Sequence, residues 1–241
     1  TKFIRDHDPL ISIIIPNKDH IDDLKRCMES IEQKSTYKNY EYIIVENNST
    51  DPATFEYYKK LEAENPKVRM VYWDGVFNYS AINNYGASFA KGEYLLLLNN
   101  DTEIINPDCL EELLGYCMRK DVGAVGARLY YEDDTIQHAG VVNLPIGPAH
   151  CLYGGSDSFN YYYGRNLLEY DFSSVTGACL MLDRKKFDEA GGFDEGFPVA
   201  YNDVSLCFRL VELGYYNVVR NDVVLIHHES VSRGLDRASA F

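Results

Sequence analysis

The sequence predicts an α/β fold, a mostly parallel sheet with helices on both faces and a less regular second half. Three observations carry that expectation. Short apolar, β-branched runs such as "LISIIIP" (Leu10 to Pro16) alternate with stretches whose apolar residues recur at helical spacing. Strand alternating with helix implies right-handed crossovers and parallel pairing. From Gln137 to Asp171, glycines, prolines and the cluster Tyr161, Tyr162, Tyr163 interrupt both periods.

The elements follow in order. "LISIIIP" is a buried strand stopped by proline. Ile21, Leu24, Met28 and Ile31 then mark an amphipathic helix over about residues 20 to 34. "YEYIIVENNSTD" repeats the design: a strand through Val45, a polar loop, and a helical stretch around Phe55 to Glu64. "VRMVYW" (Val68 to Trp73) is a third strand, Ala81 to Ala90 a helix, and Tyr94 to Leu98 a fourth strand running into Asn99, Asn100 and Asp101. Beyond it, Pro107 to Arg119 reads as a helix with proline in its first turn. "VGAVGARLYY" reads as a strand, and Gln137 to Asp171 as irregular loops. "SVTGACLMLD" is a strand, Arg184 to Ala190 a short helix, Asn202 to Leu213 a helix, and "NVVRNDVVLIHH" a last strand.

A chain of 241 residues can bury a sizeable core as one large domain or two small ones. No apolar run reaches the roughly 20 residues of a membrane span, and no signal-peptide pattern opens the chain. The formal charge of −14 repels phosphate backbones, which argues against nucleic acid as a partner. An anionic small molecule remains compatible, provided a cation in the site offsets the field. Six cysteines without a C-x-x-C pair read as buried thiols of a reducing compartment, so the expected location is the cytoplasm.

In open α/β sheets ligands sit outside the carboxyl ends of the strands. Three such ends are polar here: Asn17-Lys18-Asp19, Glu46-Asn47-Asn48 and Asn99-Asn100-Asp101. Each alone reads as an ordinary polar turn; together on one edge they read as a ligand site. Asp101, after a buried strand, can hold Mg²⁺ or Mn²⁺, hard ions that also take phosphate oxygens. Asn202-Asp203 opens a helix, where capping is the common role and a general base the functional one. His227 and His228 follow an apolar strand whose alternation sends them to opposite faces, so one of them enters any one site. Arg233 reads as a phosphate clamp or a solvated loop residue. The three tyrosines can stack on a sugar face or on each other.

In order, "SIIIPNKD", "IIVENNSTD", "FNYSAINNYGASFAKGEYLLLLNNDTE", "VGAVGARLYY…QHAGVV", "VTGACLMLDRKKFDEAGGFDE", "NDVSLCFRL" and "HHESVSRG" together resemble family 2 glycosyltransferases. The resemblance is to the bacterial branch that builds rhamnose-containing and other cell-surface polysaccharides, and it covers Leu10 to Gly234. It implies a GT-A fold, Rossmann-like, in one domain over residues 1–241. About 10–105 would bind the nucleotide-sugar, and about 106–234 the acceptor. The domain would be cut from a longer protein that carries other polysaccharide-assembly domains.

The implied reaction is an inverting transfer from a UDP- or dTDP-linked sugar to a hydroxyl of a glycan or lipid-linked glycan, assisted by Mn²⁺ or Mg²⁺. It would take place in the cytoplasm, or at the inner face of the plasma membrane through a partner or a missing segment. The family's D-x-D-like triplet falls on Asn99-Asn100-Asp101, making Asp101 a metal ligand and His227 its companion. Asp203 becomes the catalytic base, at a helix N-terminus that favours negative charge. Pro16, Asp19, Glu46, Asn78, Asn84, Asn100 and Arg233 fall on the nucleotide-sugar side. Two positions depart from the pattern: Asn99 stands where many relatives have Asp, and Ser205 where many have a second acid.

Two other classes compete. A sugar nucleotidyltransferase shares a similar sheet, but needs a glycine-rich basic loop where this chain has Pro16-Asn17-Lys18-Asp19. A non-catalytic carbohydrate-binding domain of a larger assembly protein is opposed by the joint presence of Asp101, Asp203 and His227.

Overall fold

The alternation read from the sequence is built into one large sheet. In the computed structural model, which describes residues 7–229, the first half runs β1 (Ile11–Asn17), α1 (Ile21–Lys34), β2 (Tyr40–Glu46), α2 (Pro52–Glu64), β3 (Val68–Tyr72), α3 (Tyr79–Phe89) and β4 (Tyr94–Leu98). The second half runs β5 (Thr102–Ile104), α4 (Cys109–Cys117), β6 (Val122–Tyr130), β7 (Ile136–His138), β8 (Val141–Leu144), β9 (Gly147–His150), β10 (Tyr170–Phe172), β11 (Cys179–Asp183), α5 (Arg184–Glu189), α6 (Asn202–Glu212) and β12 (Tyr216–His227).

Strand order along the sheet is β10-β12-β6-β11-β4-β1-β2-β3. β1, β2, β3 and β4 are parallel neighbours. β11 is antiparallel to both β4 and β6, which makes β6 co-directional with β4, and β12 lies parallel to β6. The carboxyl ends of β1, β2, β4, β6 and β12 therefore share one edge, together with the start of β11. That single fact of direction assembles the site.

Alternation along the strands divides the core between two faces. Ile11, Ile13, Ile15, Tyr42, Ile44, Leu96 and Leu98 pack with α1 and α4 on one face. Ile14, Ile43, Val45, Leu95 and Leu97 pack with α3, α5 and α6 on the other. The four isoleucines of β1 are fully buried, each contributing about 1.5–3 kcal/mol relative to an exposed side chain. Among the described residues no helix is long and apolar enough to cross a membrane. All six cysteines are free and buried.

The stretch expected as loops from Gln137 to Asp171 holds more structure than its pattern announces. β7 pairs antiparallel with β6, and β8 and β9 form a separate hairpin. Strands of three or four residues are too short to show a period. The rest of the segment is tied down by polar contacts. Arg128 meets Asp157 at 3.0 Å, Asn166 Nδ2 donates to Asp157 at 2.9 Å, and Asn221 Nδ2 donates to the Arg165 and Leu168 carbonyls.

Candidate active site

The crevice opens where β1 and β4 part. Their pairing stops at Ile14 with Leu97, two residues before Pro16, which has no N–H to offer a ladder. In a sheet ordered 3-2-1-4 this is the switch point at which the connections diverge, the usual ligand crevice. Across it, Asn100 Nδ2 donates to Asn17 Oδ1 at 2.6 Å, and Asn17 Nδ2 donates to the Tyr58 hydroxyl at 2.6 Å.

Asp101 is buried at 6% exposure. β5 turns back from β4 and pairs antiparallel with the end of β12, setting Thr102 opposite His227. The His228 N–H donates to the Asp101 carbonyl at 2.9 Å. His227 Nε2 thereby reaches Asp101 Oδ1 at 3.1 Å. His228 points the other way, its Nδ1 at 2.5 Å from Glu132 and its Nε2 at 3.4 Å from Glu103. Strand alternation thus resolves the histidine pair: His227 faces the crevice beside Asp101.

Asp203 lies in the first turn of α6, behind Tyr201 in the left-handed region. Its Oδ2 accepts the Gly177 N–H at 2.9 Å and its Oδ1 the Val204 N–H at 2.8 Å. Gly177 precedes β11, and because β11 is antiparallel its start lies at the carboxyl edge of the neighbouring strands. A side chain at Gly177 would press within 3.3 Å of the Tyr79 hydroxyl and 3.5 Å of Asp203 Cβ. Tyr79 closes the circuit: its hydroxyl donates to the Gly177 carbonyl at 2.9 Å and lies 3.4 Å from Asn99 Oδ1. Asn99 Nδ2 in turn sits 3.3 Å from His227 Nε2. One polar chain therefore runs Asp203, Gly177, Tyr79, Asn99, His227, Asp101.

The remaining expected residues take these positions. Glu46 is buried, its Oε1 accepting the Ser49 N–H at 2.5 Å and its Oε2 accepting the Ser49 and Tyr58 hydroxyls at 2.6 and 2.9 Å. It braces the loop after β2, and burial first, with this carboxylate adding to it against the Asn17 hydrogen bond, pushes the Tyr58 phenol well up. Asp19 has φ 60° and accepts the Thr50 and Asp51 N–H groups at 2.8 and 3.0 Å. Burial alone would raise its carboxyl, but these backbone bonds outweigh that and hold it below the usual range. Asn78 caps α3 and donates to the Glu195 carbonyl at 2.9 Å. Asn84 donates to the Phe193 carbonyl and accepts its N–H, at 2.9 and 2.8 Å. Both amides hold the loop that leads into α6. Ser205 is half-buried in α6. Tyr162 and Tyr163 are exposed, their rings 5.2 Å apart. Arg233 lies outside the described residues.

Reading the sequence missed three participants, Tyr79, Gly177 and Gln137. Gln137 Oε1 lies 2.7 Å from His227 Nδ1, on the short β7 that no period marked. Its neighbour His138 is fully buried, with Nδ1 2.8 Å from Nδ1 of His150. Burial pushes the His138 imidazole well below its usual range, with the neighbouring histidines His150 and His227 adding to the shift.

Comparison with known proteins matches residues 12–191 to the family described as glycosyl transferase family 2. The chain is 41% identical over 240 residues to the O-antigen biosynthesis protein RfbC of Myxococcus xanthus, covering 95% of this chain and 18% of that protein. It is 42% identical over 230 residues to protein y4gI of Sinorhizobium fredii, covering 94% of this chain and 25% of that one. The chain thus spans a quarter or less of the length of these relatives. Among solved structures, the mannosyltransferase PcManGT of Pyrobaculum calidifontis, in complex with GDP-Man and Mn²⁺, superposes with TM-score 0.69 at 18% identity, over 95% of this chain and 59% of that one. GalNAc-T7 with UDP, GalNAc and Mn²⁺ superposes with TM-score 0.77 at 13% identity, over 93% of this chain and 44% of that one. Both likenesses concern the fold, which is GT-A.

Proposed function

The chain belongs to glycosyl transferase family 2, and on that premise we propose that it is an inverting, metal-dependent glycosyltransferase domain. It moves a sugar from a UDP- or dTDP-linked donor to a hydroxyl of a growing cell-surface glycan. The observation that supports this most is the polar chain linking Asp203 to Asp101 and His227 along one sheet edge.

The donor set fits a divalent cation of borderline character. A buried carboxylate and an imidazole meet at 3.1 Å at the mouth of the crevice; the carboxylate suits Mn²⁺ and Mg²⁺ alike, and the imidazole is the better partner for a borderline ion such as Mn²⁺. Among the described residues no group of three or more His, Cys, Asp or Glu is placed to hold a metal. Asp101 and His227 are the two residues that would hold such an ion. When bound there, such an ion supplies positive charge to the departing nucleotide diphosphate.

The protein's own residues do the rest. Each Asp203 oxygen accepts one backbone N–H and keeps a second lone pair. In the transfer, the acceptor hydroxyl gives its proton to Asp203 while its oxygen forms the new bond to the anomeric carbon. The bond from that carbon to the diphosphate breaks on the opposite face, so the configuration inverts. One carboxylate suffices, because the nucleotide leaves as an anion that needs no protonation; glycoside hydrolysis, in contrast, needs two carboxyl groups. The length of RfbC and y4gI relative to this chain supports further assembly domains as partners.

The test is product analysis. Incubation with a UDP- or dTDP-sugar, Mn²⁺ and a glycan acceptor should release nucleotide diphosphate only with acceptor present, and proton NMR should show the opposite anomer. A product of retained configuration would sink the single-displacement mechanism.

A further inference from the structure

We propose that Gln137 is a positioning residue that fixes which nitrogen of His227 carries the proton and so aims the other at a divalent cation beside Asp101. The proposal rests on the metal-dependent reading above. Gln137 Oε1 and His227 Nδ1 are 2.7 Å apart. A carbonyl oxygen can only accept, so Nδ1 must donate. A neutral imidazole has one N–H, which leaves Nε2 with its lone pair. That lone pair lies 3.1 Å from Asp101 Oδ1, itself an acceptor, and 3.3 Å from the Asn99 amide nitrogen, a donor. Two acceptors turned toward one another at the mouth of a crevice are reconciled by a cation that both can ligate.

The amide cannot readily face the other way. Its nitrogen end lies 3.5 Å from Glu229 Oε2, and the same amide hydrogen-bonds the Tyr131 side chain. A flip would set the carbonyl against the Glu229 carboxylate and remove the acceptor from Nδ1. Gln137 is itself held in place: it is buried on β7, which is paired to β6, and its neighbour His138 is pinned to His150 on the other side of the strand. A metal-bound histidine usually donates its second N–H to such a partner, which orients the ring and raises its basicity. The arrangement also gives Asn99 a role. Its amide can donate to Nε2 when no cation is bound, a contact that Asp at this position could not make.

The experiment compares the parent with Gln137→Met, which keeps the volume but has no acceptor, and Gln137→Glu, which keeps one. Mn²⁺ affinity is read by EPR of free Mn²⁺ in the presence of UDP or dTDP. The tautomer of His227 is read in the metal-free proteins by ¹⁵N NMR. Gln137→Met should weaken Mn²⁺ binding about 10–100-fold and lose the Nδ1–H signature, while Gln137→Glu, paired with Glu229→Gln to keep a donor facing the new carboxylate, restores both. A parent with its proton on Nε2, or a folded Gln137→Met protein with parental affinity and tautomer, overturns the assignment. A parent that shows the Nδ1–H signature yet binds no Mn²⁺ overturns the metal reading instead, and with it the purpose assigned to Gln137. If Gln137→Met does not fold, Gln137→Glu and the parental tautomer decide alone.

Discussion

Asp101 Oδ1 and His227 Nε2 lie 3.1 Å apart, one in the loop after β4 and the other at the end of β12. The two meet because β12 runs parallel to β6 while β5 folds back to pair with it. Asp101→Ala should therefore weaken nucleotide binding only when Mn²⁺ is present. Calorimetry with UDP or dTDP checks this; equal parental affinity with and without Mn²⁺ would remove the metal from the mechanism.

Asp203→Asn should abolish transfer and leave donor binding intact. The amide oxygen can still accept the Gly177 N–H that Asp203 holds at 2.9 Å, at the loss of the bond from the Val204 N–H, and the group can no longer take a proton. The expected loss in turnover is about 10²–10⁴-fold. Steady-state rates alongside donor titration separate the two effects, and parental turnover would exclude Asp203 as the base.

Glu46→Gln tests whether this carboxylate serves the loop or the ligand. With both oxygens already accepting from Ser49 and Tyr58, the substitution turns an amide donor onto groups that donate. Urea unfolding should show a cost of about 1–3 kcal/mol. Parental stability with a raised Michaelis constant for donor would assign Glu46 to the nucleotide alone.

His138 makes stability depend on mild acid. Its imidazole is held well below the ordinary value of 6.5 by burial first and then by His150 and His227. Below pH 6.5 the unfolded chain takes up a proton that the folded chain refuses, so stability is fully present above that value and falls as the pH drops. Each unit below it costs about 1.4 kcal/mol while the folded imidazole stays neutral. Denaturation curves at pH 7.5, 6.5 and 5.5 should show this slope. His138→Asn should lessen it by about one proton's worth; an unchanged slope would place the titrating group elsewhere.

Donor identity is open to a thermal screen. A nucleotide-sugar held at 100 times its dissociation constant stabilises the fold by about 2.7 kcal/mol, which raises Tm by about 5–10 °C in a chain of this size. UDP- and dTDP-sugars with Mn²⁺ should therefore divide into one shifting set and one silent set. No shift from either would refute a UDP- or dTDP-linked donor.

Local pattern was enough for much of this protein. The isoleucine run of β1, the four leucines before Asn99 and the spacing of Ile21, Leu24, Met28 and Ile31 in α1 each declare strand or helix, because burying one face imposes a period on the chain. Polar residues after strands named Asp101, and alternation allowed only one of His227 and His228 into the site. What the sequence could not express is the direction in which distant strands lie beside one another. β11 runs antiparallel, which carries Gly177 to the carboxyl edge of its neighbours and gives Asp203 its partner. β7 is three residues long, too short for a period, yet its pairing to β6 places Gln137 against His227. The sequence by itself determined the fold class, the family resemblance and the chemistry-bearing residue types. Tertiary structure decided that Glu46, Asn78 and Asn84 are engaged in bracing loops, and that Tyr79 joins the two halves of the site. Hydrogen bonds between residues far apart in sequence leave no periodic trace, so only the folded chain shows them.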